Sequence, residues 1–337
     1  MKVWRLDPPG SLDTLVCLDE PKPEPGLREV AIRIRAASLN YRDLMIADGS
    51  YGLARLKPRP IALSDGVGEV VALGPRVTRV RIGERVAPIF TQRWLGGRIR
   101  PEFASSALGG PSDGILAETV VLSEEGVVRV PDHLTDEQAA TLPCAAVTAW
   151  HALVVAGGLA AGETVLTLGT GGVSLFAAQF ALACGARVIA TTGSDAKAER
   201  LRALGVRDVI NYNSVPDWER GVRELTGGEG VDHVVEVGGA GTFERSLASV
   251  CMGGHVHVIG NLAGAARVDP GIILRSRAHV HGIQVGSREM FEAMNRAVAH
   301  ARIVPVVDRV FAFDEVRAAY EHLGSRRHVG KIVVRGA

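Results

Sequence analysis

The stretch Thr164–Ser174, TVLTLGTGGVS, sets the tightest limit on what this chain can fold into. Val165, Leu166 and Leu168 form a short apolar strand, and Gly169, Thr170, Gly171 and Gly172 follow it. Glycines at that spacing permit a tight turn and a close approach of backbone to phosphate. Leu175, Phe176, Ala178, Gln179, Phe180, Leu182 and Ala183 continue as a buried helix that ends near Gly185, and Val188-Ile189-Ala190 is the second strand. Strand, glycine turn, helix, strand is the order that presents a dinucleotide pyrophosphate to backbone N–H groups at a helix N-terminus. In the usual G-x-G-x-x-G fingerprint the third glycine is here Ser174, which is still small enough for helix–strand packing. The competing reading is an ordinary tight βα turn.

The end of the second strand bears on which dinucleotide. Units that bind NAD usually carry an Asp or Glu ~20 residues past the turn, on the ribose 2′-OH. Here that region reads Thr191-Thr192-Gly193-Ser194, without an acid. Asp195 comes later, in a first helical turn where an acidic residue suits the dipole, and Lys197 and Tyr212 follow. Neutral and basic groups favour a 2′-phosphate that a carboxylate would repel. Thr192, Gly193, Ser194, Lys197 and Tyr212 are the candidates for this end of the cofactor. The reading favours NADP(H), with NAD(H) the alternative. Lys197 as a solvated helix residue is the competing reading of that position.

Composition excludes several classes. At 337 residues and 47% hydrophobic content, the chain can bury two domains of ordinary size. A formal net charge of +1 makes no electrostatic case for nucleic acid or acidic lipid. No apolar run reaches the ~18 residues of a membrane span, and MKVWRLDPPG has no signal-peptide core. Cys17, Cys144, Cys184 and Cys251 are scattered, which suits a reducing cytoplasm.

The texture changes twice along the chain. Residues 1–130 read as short strands between Pro/Gly turns: EVAIRIRAASLN, GVGEVVALG, ERVAPIF, LAETVVL. From about 131 a long helical pattern runs through Leu153, with Thr135 as N-cap and Gln138 completing a capping box. Six strands then alternate with helices up to residue 286: VLTL, RVIAT, DVINY, VDHVVEV, HVHVIG and VHGIQV. That pattern predicts an α/β fold with a doubly wound parallel sheet. The tail, 287–337, predicts a helix over Arg288–Ala301, strand VVDRVF, a helix over Asp314–Leu323 and a last strand KIVVR, returning to the N-terminal domain.

The segments ALSDGVGEVVALG, SLNYRD at Ser38–Asp43, LPCAAVTAWHAL, GETVLTLGTGGVSLFAAQFA and GKIVV together resemble the medium-chain dehydrogenase/reductase superfamily, in its zinc-independent, quinone oxidoreductase-like branch. The resemblance spans nearly the whole chain. It implies a GroES-like catalytic domain, built from both chain ends, around a Rossmann domain. It also implies cofactor contacts at Thr148, at the pyrophosphate N–H groups of Gly171, Gly172 and Val173, and in a 2′-phosphate cluster of Gly193, Lys197 and Tyr212. Gly238 would border the adenosine, Gly260 and Asn261 the carboxamide, and Lys331 a phosphate.

Zinc members of the superfamily use Cys, His and Cys ligands with a Glu beside the His. This chain has Asn40, Ser64-Asp65 and Cys144 at those places, a poor zinc set, and Gln92–Asp113 holds no cysteine for a structural lobe. The expectation is therefore no metal, and hydrogen bonds in its place. The resemblance suggests Asn40 and Tyr51 as catalytic donors to a developing oxyanion. For Asn40 the alternative is a turn residue, and for Tyr51 rim packing. Weak polarisation suits easily reduced electrophiles: a quinone or an α,β-unsaturated carbonyl. Metal-free alcohol/aldehyde oxidoreduction, and non-catalytic NADP(H) binding, remain the alternatives. A homodimer is expected through the apolar edge VHGIQV. The Gly/Pro-rich segment 93–113 is read either as a substrate-choosing lid or as a collapsed remnant of the zinc lobe.

Overall fold

The structure is a computed structural model that describes residues 1–52, 56–260 and 267–336. It divides into two compact units, Thr148–Gln284 and Met1–Val147 with Val285–Ala337.

Among the described residues, the Thr148–Gln284 unit is built on six parallel strands. Their spatial order is Asp208–Asn211, Arg187–Thr192, Thr164–Leu168, Val231–Glu236, Val250–Val258, His279–Gly282. The predicted doubly wound sheet is thus present, and chain order reverses beside Thr164–Leu168. The glycine turn leaves the carboxyl end of that strand, where ligands of such sheets bind. One sheet face carries Leu166, Ile189, Val234 and Val256, packed against Trp218, Val222 and Leu247 of the covering helices.

The opposite face is unusual. Strand register aligns His233 with His255 and His279, and His257 with His281. Because side chains alternate along a strand, all five imidazoles share that face. Neighbouring rings lie nearly parallel, with centroids 5.0–5.1 Å apart for His255 against His233, His279 and His281. Burial grades from His233 and His257, which are enclosed, to His279 at the exposed sheet edge.

Among the described residues, the other unit holds a seven-stranded sheet, ordered Val307–Phe311, Lys331–Arg335, Glu29–Ser38, Asp65–Leu73, Arg85–Pro88, Val127–Arg129, with Thr119–Ser123 also pairing to Glu29–Ser38. Its core runs through Val30, Ile32, Ile34, Val70, Val86, Ile115, Tyr320 and Ile332. Within this unit the last strand pairs antiparallel with Glu29–Ser38, Val333 opposite Ser38 and Arg335 opposite Ala36. The tail helix spans Arg288–Ala301, as its periodicity predicts.

The long helix expected from Thr135 to Leu153 is instead broken. Thr135 and Gln138 form the predicted capping box, but α-helical turns at Asp136–Ala139 and Val147–Trp150 alternate with wider π-turns at Leu142–Ala146 and His151–Ala156. Pro143 lacks the N–H that an unbroken helix needs, and the widened turn accommodates it. The 93–113 segment is a packed structure: Trp94 is buried against Phe90, Ala107 and Val285, and Pro101–Ser106 forms a 3-10 helix.

Candidate functional site

The glycine turn is built as an anion cradle. Gly169 has φ +73°, a conformation that favours glycine, and Gly171 is the N-cap of the 12-residue helix Gly172–Ala183 with no side-chain cap. The first-turn N–H groups of a helix have no intrahelical acceptor, so the turn offers donors where a pyrophosphate would need them. Ser174 explains its own departure from the fingerprint. It is buried, and its Oγ donates to the Leu168 carbonyl at 2.6 Å, which ties helix to strand.

At the second strand, Gly193 and Tyr212 are brought together: a Cβ on Gly193 would meet the Tyr212 hydroxyl at 2.5 Å. Ser194 caps the helix Asp195–Ala203 through the Lys197 N–H. The Asp195 carboxylate is occupied by Asn211 Nδ2 at 2.8 Å, and Thr192 Oγ1 is buried with no hydrogen-bond partner. Thr148 is buried. Thr170 is buried too, and Gly172 and Val173 open the helix. Gly260 approaches the chain so closely that a Cβ would lie 2.1 Å from the Val237 carbonyl oxygen. Asn261 lies outside the described residues.

Gly238 has a different job from a free donor. Its N–H, with that of Gly239, donates to Glu236 Oε1 at 2.7 and 2.9 Å. The hydroxyls of Thr242 and Ser246 bind the same buried carboxylate. One carboxylate thus holds the whole turn after the fourth strand. Glu236→Gln would set amide hydrogens against those donors, and is expected to lower unfolding free energy by about 3 kcal/mol in urea melts. An unchanged midpoint would show that the turn holds itself.

In the other unit, Asn40 is the N-cap of the helix Tyr41–Ala47, and the Asp43 carboxylate accepts from its backbone N–H at 2.7 Å. The Asn40 side chain faces Lys331. Lys331 is 3% exposed. Its Nζ donates to the Leu39 carbonyl at 2.5 Å and to Asn40 Oδ1 at 2.6 Å, and lies 4.0 Å from Asp65 Oδ2. Asp65 also accepts from the Ser64 hydroxyl at 2.8 Å and the Cys144 N–H at 3.0 Å. Burial pushes the Asp65 carboxyl up, against the Lys331 charge and lesser help from Asn40, Ser64 and the Cys144 N–H. Burial likewise raises Asp43 to about 6, opposed by Arg42. Asn40 Nδ2 lies near enough to Asp65 to favour its ionised form, yet is buried with no acceptor in hydrogen-bond geometry.

The phosphate contact expected of Lys331 is corrected here. Its ammonium is enclosed and committed to Leu39 and Asn40, so no phosphate can reach it. The available signal was a lysine in an otherwise apolar strand, KIVVR, which demands buried acceptors. Tyr51 is half-buried, and its ring stacks on the Arg42 guanidinium at 4.8 Å, with Phe90 on the same guanidinium at 4.7 Å. No hydrogen bond joins Tyr51 to Asn40.

These donors do not suit zinc. Cys144 is the single thiol at the ligand positions, and burial, with Asp65 beside it, pushes it well above the ordinary thiol range. Asn40 Oδ1 and Asp65 already face a fixed ammonium. Among the described residues, no three His, Cys, Asp or Glu side chains could hold a metal ion together.

The alcohol dehydrogenase GroES-like domain family matches residues 26–132, and the zinc-binding dehydrogenase family matches 172–300. The chain belongs to the medium-chain dehydrogenase/reductase superfamily. It is 40% identical to a zinc-type alcohol dehydrogenase-like protein of Schizosaccharomyces pombe, over 96% of this chain and 97% of that one. It is 33% identical to a quinone oxidoreductase of Pseudomonas aeruginosa, over 96% of each. The crystal structure of a putative alcohol dehydrogenase from Sinorhizobium meliloti superposes with a TM-score of 0.91 at 38% identity, over 99% of each chain. Like its relatives in this superfamily, the protein is an NAD(P)-dependent oxidoreductase. No helix among its described residues is long and apolar enough to cross a membrane.

Proposed function

We propose that this dehydrogenase/reductase is a metal-free, NADPH-dependent reductase of quinones or α,β-unsaturated carbonyls. The observation that carries the reading is Asn40: its amide oxygen is held by the Lys331 ammonium, which leaves Nδ2 as the donor end, facing Asp65 but outside hydrogen-bond geometry. A fixed donor whose hydrogen bond is not well formed in the resting site suits an oxyanion that develops only during reaction. The nicotinamide, when bound, supplies the hydride. Gly171, Gly172 and Val173 hold the pyrophosphate through backbone N–H groups. Gly193, Lys197 and Tyr212 surround the 2′-phosphate, Thr148, Gly260 and Asn261 the nicotinamide end. Asn40 donates to the substrate oxygen, and solvent completes the proton transfer. The similarity to a quinone oxidoreductase supports the substrate class. The exposed edge strand His279–Gly282 supports a homodimer, and four cysteines outside any disulfide support a cytoplasmic setting.

Titration of chelator-treated protein with NADPH and NADH, followed by turnover of 1,4-benzoquinone and simple enones, tests this. Tighter NADPH binding with metal-free turnover is the expected result. Binding without turnover of any electrophile would favour a non-catalytic nucleotide-binding protein, and turnover of simple alcohols alone a dehydrogenase. Lys197→Glu is expected to weaken NADPH at least tenfold and leave NADH within about twofold, since only the 2′-phosphate meets the reversed charge. Equal losses would remove Lys197 from the phosphate site.

A further inference from the structure

We infer that Lys331 is a positioning residue that fixes which end of the Asn40 carboxamide is left to donate. This rests on the proposal that Asn40 meets the substrate oxygen.

A carboxamide has two ends of nearly equal size, one donor and one acceptor. Rotation about its last bond would exchange them, and an Asn that presented Oδ1 to a developing oxyanion would repel it. The oxygen end is set here by Lys331, with Asp65 on the side of the nitrogen end. An ammonium has three donors and no acceptor, so the atom 2.6 Å from Nζ must be the amide oxygen. Nδ2 is then the donor end, turned toward Asp65 without meeting it in hydrogen-bond geometry.

The ammonium is itself immobile. Its Nζ also donates to the Leu39 carbonyl at 2.5 Å, the residue before Asn40, so one group clamps backbone and side chain of adjacent positions. Asp65 balances the charge from 4.0 Å and is anchored by Ser64 and the Cys144 N–H. The strand Lys331–Arg335 is paired to Ala36–Ser38, immediately before Leu39, which sets the reach of the lysine from the sheet register. The competing account is that Lys331 only neutralises buried Asp65.

Four proteins separate these accounts: wild type, Lys331→Met, Asn40→Ala and the double variant, assayed with saturating NADPH and 1,4-benzoquinone. Lys331→Met is expected to lose at least tenfold in kcat, with KM and NADPH affinity within about twofold. The double variant should match Asn40→Ala, because Lys331 acts through Asn40. If the Met substitution multiplies the loss equally in both backgrounds, or leaves kcat unchanged, the proposal is overturned. If Asn40→Ala itself has no effect, the donor reading fails instead. Lys331→Gln covers the case in which the Met variant does not fold. Its amide N–H can still donate to Asn40 Oδ1, so kcat should stay within a few fold, whereas pure charge neutralisation predicts a collapse as large as any loss at Asp65. A readout free of turnover is the side-chain 15NH2 pair of Asn40, assigned by its disappearance in Asn40→Ala. It should shift in Lys331→Met, and an unmoved pair sinks the proposal.

Discussion

Asn40→Ala is expected to lower kcat by about 10²–10³, the range lost on removing one oxyanion donor in other enzymes. Nucleotide affinity should stay within about twofold, because Asn40 is not among the residues proposed to hold the dinucleotide. The size follows from the setting. The amide is fixed by Lys331 at 2.6 Å and its Nδ2 is buried, so no reorganisation is required when charge develops. A loss confined to KM would mean that Asn40 binds the ground state and transition state equally. Asn40→Asp is a sharper companion. It keeps the contact to Lys331 and the fold, yet replaces the donor with an acceptor, and should be at least as inactive as alanine. Wild-type kcat in either variant removes Asn40 from the mechanism.

How far such a site is legible in sequence depends on whether local pattern or tertiary contact sets it. The dinucleotide unit is local. Strand, turn and helix at Thr164–Ala183 follow from glycine spacing and apolar periodicity, and the structure has the turn, the six-stranded parallel sheet and even a role for Ser174. The polar network around Asn40 is not local. It joins residues 40, 65, 144 and 331, and although an apolar KIVVR strand calls for buried acceptors for its lysine, nothing near it names Leu39 and Asn40 as those acceptors. The resemblance gives Lys331 a phosphate, whereas a lysine within an apolar strand argues against a solvated role. The helix from Thr135 shows a third case. Its cap was legible, but Pro143 and the π-turns set its course, and propensity alone missed them. Four of the five histidines lie in strands read from the sequence and His279 directly precedes one, but their alignment on one face needs the strand register, which no single segment carries.

That alignment gives the fold an expected weakness toward acid. His257 is enclosed, its Nε2 lies 3.2 Å from His233 Nδ1, and its own Nδ1 is buried without a partner. Burial, and then the neighbouring imidazoles of His233, His281, His255 and His151, push its pKa from 6.5 down to about 2. His255 and His281 are lowered for the same reasons, with Glu163 the opposing carboxylate at His255, and His233 Nε2 lies 3.0 Å from Glu163. Such groups are neutral in both states above pH 6.5, where they cost nothing. Below it the unfolded chain takes up protons that the native array refuses, so stability falls with pH down toward the native pKa. For His257 the loss is about 1.4 kcal/mol per pH unit, or roughly 3 kcal/mol at pH 4.5. The raised carboxyls of Asp43 and Asp65 have the opposite sign and gain stability as pH falls, so they cannot be the source. His257→Phe keeps a flat ring in the stack and removes the titration. It is expected to lower Tm slightly at pH 7.5, through the lost contact to His233, yet to show a much shallower fall in Tm between pH 6.5 and 4.5. If both proteins lose Tm in parallel over that window, the acid response arises elsewhere and the array is no more than packing.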